Sequence, residues 1–224
     1  MTIIALEGPS AVGKTTTAKR LCEELDASRV PEVNELFDRP PSAPETWYFE
    51  CQCDRWELAL ERESDYEFVI LDGDVLQPLW YNWIARGLAA ADPSIEVFAS
   101  VDAVYSFFRE KLRTEAIGFP DRYLVLTADE RTLRRRKGTD DTRTRRNFET
   151  HIRFAEPQQR YFEQLRELAP PRVHFVDATS GEGTSTTVRV EASRCGASSS
   201  RFPLNHFDTM YEWLSETRPL SVDG

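Results

Sequence analysis

The sequence predicts an α/β protein in three layers, a parallel sheet with helices on both faces. Three observations lead there. Short runs that are apolar on successive residues recur along the chain, the pattern of strands covered on both sides. Helix-length stretches separate them, and strand–helix alternation builds parallel sheets. The first run also leads into a glycine-rich loop that opens a helix, Gly8-Pro9-Ser10-Ala11-Val12-Gly13-Lys14-Thr15.

In chain order, residues 3–6 form the first strand, and residues 15–25 follow as a helix with Ala18, Leu21, Cys22 and Leu25 at helical spacing. Residues 29–33 make a weaker strand, because Pro31 removes a ladder donor. Residues 67–72, 122–127 and 172–177 read as strong strands. Helices are expected near 45–63, 75–90, 95–116, 129–137, 142–168 and 204–217. Residues 179–201 are small and polar and read as a mobile insertion, in which Val188-Arg189-Val190 could form one edge of a hairpin. The 224 residues, 40% of them hydrophobic, suffice for one domain, taken as 1–224.

Composition excludes several classes. No apolar stretch approaches the length of a transmembrane helix. A net charge of −10 argues against a nucleic-acid backbone as the main partner. Cys22, Cys51, Cys53 and Cys195 have neither disulfide-framework nor zinc spacing, so they read as free thiols of a reducing cytoplasm.

Residues 8–15 match G-x-x-x-x-G-K-[ST], the phosphate-binding loop. Glycines let backbone N–H groups curl around phosphate oxygens, and the following helix start adds a favourable dipole. The nucleotide-binding set is therefore Gly8, Ser10, Ala11, Val12, Gly13, Lys14, Thr15 and Thr16. Lys14 would reach the β- and γ-phosphates of ATP, and the Thr15 hydroxyl would coordinate Mg²⁺.

Phosphoryl transfer also needs a carboxylate near the metal. Asp72 ends an apolar strand in the Walker B manner, and Asp74 follows after Gly73. Asp-Gly is also a common turn pair, which would account for Asp72 without chemistry. Residues 131–146 carry Arg131, Arg134, Arg135, Arg136, Lys137, Arg143, Arg145 and Arg146 around a bend at Gly138-Thr139-Asp140-Asp141. Such a run is either a solvated face or a lid, about 131–150, that closes over phosphates. As a lid its leading contacts are Arg134, Arg136 and Arg143, with Arg134 and Arg136 also catalytic.

Glu32 ends the second strand candidate and points to the rim of the phosphate loop, where it could accept a proton from an acceptor hydroxyl. Glu35, one helical turn on, and Asp72 compete for the role. Tyr48, Gln52, Arg55 and Trp56 share one helical face, and Trp80, Tyr81 and Trp83 follow the Asp72 turn. Aromatic stripes usually belong to the core, yet Gln52, Arg55 and Trp80 also suit recognition of a planar or hydroxylated substrate.

These residues resemble the nucleoside and nucleotide kinase branch of P-loop NTPases, the deoxynucleoside kinase and thymidylate kinase group, over most of residues 1–168. Leu6-Glu7-Gly8, Pro31-Glu32-Val33, the 47–60 helix with its Gln and Arg, and Leu133-Arg134 through Arg146-Asn147-Phe148-Glu149 carry the likeness. The resemblance implies a five-stranded parallel sheet, a helical lid, and MgATP-dependent transfer to a hydroxyl or a monophosphate. One departure stands out. Both subgroups place an arginine directly after the strand-end acid, where this chain has Asp72-Gly73-Asp74. A second acid there would repel a phosphate, so Asp74 is assigned to the substrate site and the acceptor is expected to be uncharged or cationic, a nucleoside or another polyhydroxylated metabolite or antibiotic. A nucleoside monophosphate kinase and a regulatory P-loop ATPase are the competing readings. The expected partners are ATP and a small hydroxylated acceptor, with no nucleic acid and no membrane; a homodimer stays open.

Overall fold

In the computed structural model, which describes residues 2–139, 147–193 and 203–219, five parallel strands form one sheet in the order β2-β3-β1-β4-β5. The strands are β1 (Thr2–Glu7), β2 (Ala27–Val30), β3 (Phe68–Asp72), β4 (Arg122–Thr127) and β5 (Val173–Asp177). Every residue of β1 and β3 is buried, as expected of central strands covered on both faces. The register pairs Ile4 with Ile70 on one side and with Arg122 on the other. β1 is thus the point from which the chain winds in both directions, and ligands of open α/β sheets bind beyond the strand ends at that point.

Alternation along the strands divides the core in two. Ile3, Ala5, Val69, Leu71, Tyr123 and Val125 face α3 (Trp47–Glu63), α4 (Gln77–Ala89), α5 (Val101–Arg113), α8 (Ala155–Leu168) and α10 (Leu204–Glu216). Ile4, Leu6, Phe68, Ile70, Leu124 and Leu126 face α1 (Lys14–Glu24) and α9 (Gly181–Ser193). Leu133 of α6 (Glu130–Thr139) and Phe148 of α7 (Phe148–Ile152) join this second cluster. Each fully buried aliphatic side chain contributes roughly 1.5–3 kcal/mol. The short α2 (Val33–Leu36) follows β2 directly. Among the described residues no helix is long and apolar enough to cross a membrane.

Several boundaries differ from the sequence expectation. β2 covers 27–30 rather than 29–33, and the chain leaves the ladder at Pro31, which has no N–H to donate. The helix expected from 95 begins at Val101, where the Ser100 side chain accepts from Ala103 N at 3.1 Å, a cap worth about 1 kcal/mol. The stretch 142–168 divides into α7 and α8 around Arg153 and Phe154, and residues 142–146 lie outside the described residues. The expected insertion 179–201 contains α9, with Val188 and Ala192 fully buried against the α1 side of the sheet; no hairpin forms over 188–190.

Candidate active site

The phosphate loop leaves the carboxyl end of β1 and folds through three left-handed positions, Gly8 (φ 134°), Ala11 (φ 67°) and Gly13 (φ 106°). A Cβ on Gly8 would collide with the Leu126 carbonyl of the neighbouring strand, so this position requires glycine twice over. Gly13 caps α1 without any side-chain hydrogen bond, and the first turn of α1 holds no acid. The leading N–H groups of this helix therefore remain open to an anion. Lys14 Nζ donates to the Gly8 carbonyl at 2.8 Å, folded across its own loop.

This loop forms one end of a cavity of about 1220 Å³. Gly8, Ser10, Ala11, Gly13, Lys14, Thr15 and Thr16 line it, as do Glu32, Arg55 and Trp80. The same cavity takes Trp47, Tyr48 and Phe49 from α3, Tyr81 from α4, Glu96 and Phe98 from the segment after α4, and His151 from α7. Tyr81 packs against Phe154 and Phe98 at centroid distances of 5.0 and 5.9 Å, giving an aromatic wall. Glu32 occupies the position before α2, and its carboxylate accepts no hydrogen bond from any described residue.

Asp72 is wholly buried at the end of β3, on the sheet face covered by α1. Its Oδ2 accepts both Arg29 Nε (3.0 Å) and Arg29 Nη2 (2.7 Å), while Oδ1 is buried without a partner. Arg29 Nη2 also donates to Glu35 Oε1 at 2.8 Å, so this competing base candidate is held in an ion pair outside the cavity lining.

Asp74 requires a correction. Gly73 (φ 87°) turns the chain so that Asp74 runs beneath the phosphate loop, 1% exposed and absent from the cavity wall. Its backbone N–H donates to Glu7 Oε1 at 2.6 Å, and Glu7 Oε2 accepts Gly8 N (3.2 Å) and Gln158 Nε2 (2.9 Å). The Leu76 N–H and the Tyr123 hydroxyl approach the Asp74 carboxyl without good hydrogen-bond geometry. Burial, and then the neighbouring Glu7, push the Asp74 carboxyl up to about 7. Burial also raises Glu7, against the pull of Lys14 and of the Asp74 and Gly8 N–H groups. Asp74 is thus part of the buried support of the loop and touches no acceptor, so it says nothing of the acceptor's charge.

Arg55 and Gln52 are corrected in part. Arg55 is 1% exposed and commits Nε to the Pro31 carbonyl (2.7 Å), Nη1 to Gln52 Oε1 (2.6 Å) and Nη2 to the carbonyls of Asp72 and Gly73 (3.0 and 2.9 Å). Burial lowers its pKa, which nearby acids counter. It clasps the ends of β2 and β3, and Gln52, fully buried off the cavity wall, serves that clasp. Trp80 does line the cavity, with its indole N–H buried and unpartnered.

The lid arginines also divide. Arg134 is half-exposed and pairs with Glu130 (2.7 Å) and Glu149 (2.8 Å), which ties α6 to α7 and keeps it off the cavity wall. Arg136 donates to the Val12 carbonyl of the phosphate loop (2.8 Å) and to the Ala178 carbonyl after β5 (2.5 Å), so it braces the loop from outside the cavity. Arg143, Asp140 and Asp141 lie outside the described residues.

Sequence reasoning overlooked Arg29, Glu7, Gln158 and His151. Glu7 had a signal, as an acid closing an otherwise apolar strand next to the loop. The other three sit on elements distant in sequence and carried none. Burial holds the His151 imidazole below the usual histidine range, helped by the Lys14 charge, so it faces the aromatic wall as a neutral ring.

The sequence matches no family model and no curated protein. Solved structures do match. Thymidylate kinase from Candida albicans aligns with a TM-score of 0.58 at 19% identity, covering 90% of this chain and 98% of that one. The chain has the fold of the P-loop nucleoside and nucleotide kinases. A deoxyadenosine kinase from M. mycoides, solved with dCMP and a flexible dCDP bound, aligns with a TM-score of 0.54 at 14% identity, covering 86% of this chain and all of that one.

Proposed function

We propose that the chain is an ATP-dependent phosphotransferase that moves the γ-phosphoryl group onto a hydroxyl of a small molecule. One observation carries this reading: one cavity is lined both by the open N-terminus of α1 with Lys14 and by Glu32, whose carboxylate has no hydrogen-bond partner among the described residues. The kinase names of the structural neighbours agree with it.

ATP would lie with its phosphates against the backbone N–H groups at the start of α1, those of Gly13, Lys14, Thr15 and Thr16. Lys14 would leave the Gly8 carbonyl to meet the β- and γ-phosphates. Thr15 presents a hydroxyl at the cavity wall that would hold Mg²⁺, whereas Asp72, fully buried with one oxygen unpartnered, is absent from that wall. When bound, Mg²⁺ neutralises charge on the β- and γ-phosphate oxygens. Glu32 takes the proton of the acceptor hydroxyl as its oxygen bonds to the γ-phosphorus and the bond to the β-phosphate oxygen breaks, releasing ADP. Arg136 fixes the loop that carries the phosphates.

The acceptor end favours an uncharged or cationic hydroxylated molecule. Glu32, Glu45 and Glu96 line the cavity there, Arg55 commits four of its five N–H groups to Pro31, Gln52, Asp72 and Gly73, and Arg39 lies over the Trp47 ring at 6.0 Å. The likeness to thymidylate kinase favours a second reading, in which the acceptor is a monophosphate met by Arg39. The experiment is an acceptor screen at fixed MgATP, with nucleosides, their monophosphates and amine-bearing polyols, scored by mass spectrometry for a gained phosphoryl group. Transfer to a monophosphate in preference to all others selects the second reading. ATP hydrolysis at one rate with every candidate and with none would make the chain a P-loop ATPase instead.

A further inference from the structure

The side chains of α7 and its N-cap divide among three neighbours. Phe148 is buried in the cluster that holds Ala11 and Val12, which seats the helix on the phosphate loop. Glu149 turns away to pair with Arg134 of α6 at 2.8 Å. Asn147 and His151, four residues apart and so on one side of the helix, line the cavity. Among the described residues of 130–152 they alone do so, since Arg134 and Arg136 are engaged elsewhere. Tyr81 and Phe154 hold the His151 ring edge-on, at centroid distances of 6.3 and 5.7 Å. Neither imidazole nitrogen has a hydrogen-bond partner among the described residues, and neither is sealed off from the cavity. Burial, and then the Lys14 charge, disfavour the imidazolium, so the ring offers one N–H and one bare nitrogen. His151 thus stands where the Lys14 end of the cavity meets the aromatic wall of the acceptor end.

We propose that His151 is a catalytic residue of the transfer: its imidazole N–H donates to an oxygen of the γ-phosphoryl group, on the side that faces the acceptor. The inference rests on the phosphotransferase reading above. A phosphoryl group in transit spreads its charge over its equatorial oxygens, and donors already in place meet that charge without reorganising. The His151 ring is in place before any ligand enters, because Tyr81 and Phe154 fix its plane and Phe148 fixes its helix. As a neutral donor it does not repel Lys14 while the site is empty.

The test compares the affinities of the full chain for ADP and for a non-hydrolysable ATP analogue in saturating Mg²⁺, by calorimetry. Their ratio isolates the γ-phosphate. His151→Phe keeps a ring against Tyr81 and Phe154 and removes both nitrogens. It should lower the ratio about tenfold and leave ADP affinity within about twofold. His151→Gln keeps an N–H donor and should stay within about threefold of the wild-type ratio. In the wild-type chain the His151 imidazole ¹⁵N signals, told apart from those of His174 and His206 by single substitutions, should move between the ADP and analogue complexes. A wild-type ratio in folded His151→Phe overturns the inference, as does a loss in His151→Gln equal to that in His151→Phe. Should the Phe variant not fold, His151 signals identical in the two complexes overturn it equally. A wild-type chain that binds neither nucleotide removes the phosphotransferase reading as well, so the two failures are told apart.

Discussion

The two halves of the cavity are made of different material. The nucleotide end is one continuous stretch, residues 8–16, and its working groups are mostly backbone: three left-handed positions and a helix start with no side-chain cap. The acceptor end gathers side chains from the position before α2, from α3, α4 and α7, and from the segment around Glu96 and Phe98. Its polar groups are individually ordinary, and only the tertiary structure brings them together. The first half is therefore specified by local sequence chemistry and tolerates little change. The second is a set of convergent surfaces, where changed side chains would alter the acceptor before they abolished the reaction.

The sharpest break in that contrast would come at Lys14. Lys14→Ala should lower turnover by about a thousandfold or more with the fold retained, because its charge is needed most as the phosphoryl group transfers. Near wild-type turnover in a folded variant would remove the phosphate-loop assignment. Glu32→Gln should lower turnover about a hundredfold and leave MgATP binding within twofold. Equal losses of both would mean that Glu32 belongs with the nucleotide half.

Beneath both halves lies the buried Glu7–Asp74 pair, whose effect is on stability. The Asp74 carboxyl sits near 7 in the folded chain, above its unfolded value of about 3.9. Its stabilising contribution is complete below the unfolded value and is lost as pH rises through about 7. Asp74→Asn should therefore lessen the fall in stability between pH 5 and pH 8, by on the order of 2 kcal/mol. Urea midpoints of both proteins at the two pH values measure it, and parallel pH profiles would refute the assignment. The smallest effect is expected at Arg134. It pairs with two exposed acids away from the cavity, so Arg134→Ala should change turnover less than about twofold. A hundredfold loss would restore it to the transfer step.

The same division explains what could be read from the sequence. The strands announced themselves through uninterrupted apolar runs, and the phosphate loop through a motif whose residues each have a backbone reason. Asp74 was misplaced because Asp-Gly-Asp shows a turn but not its direction, and the Gly73 conformation sends Asp74 under the loop rather than toward the acceptor. Arg55 was legible as a polar residue on an aromatic helix face, yet its partners are carbonyls at two strand ends, which no side-chain pattern encodes. Arg29 looked like one more charged residue in a weak strand, and only the alignment of β2 beside β3 brings it to Asp72.

Helix α9 was missed for a related reason, and the miss bears on how the protein can be cut. Gly181, Gly183 and the Thr/Ser run are poor helix formers, so this helix owes its existence to the surface beneath it. Val188 and Ala192 belong to the same buried cluster as Ala18 and Leu21 of α1. A chain with residues 179–201 removed would look tidy on paper, since the kinase-like resemblance has run out and this stretch reads as a polar insertion. It would strip the outer cover from the helix that begins at Lys14 and leave apolar surface facing water. What resembles a dispensable insertion is the outer support of α1, and a shortened version should be insoluble before it is inactive.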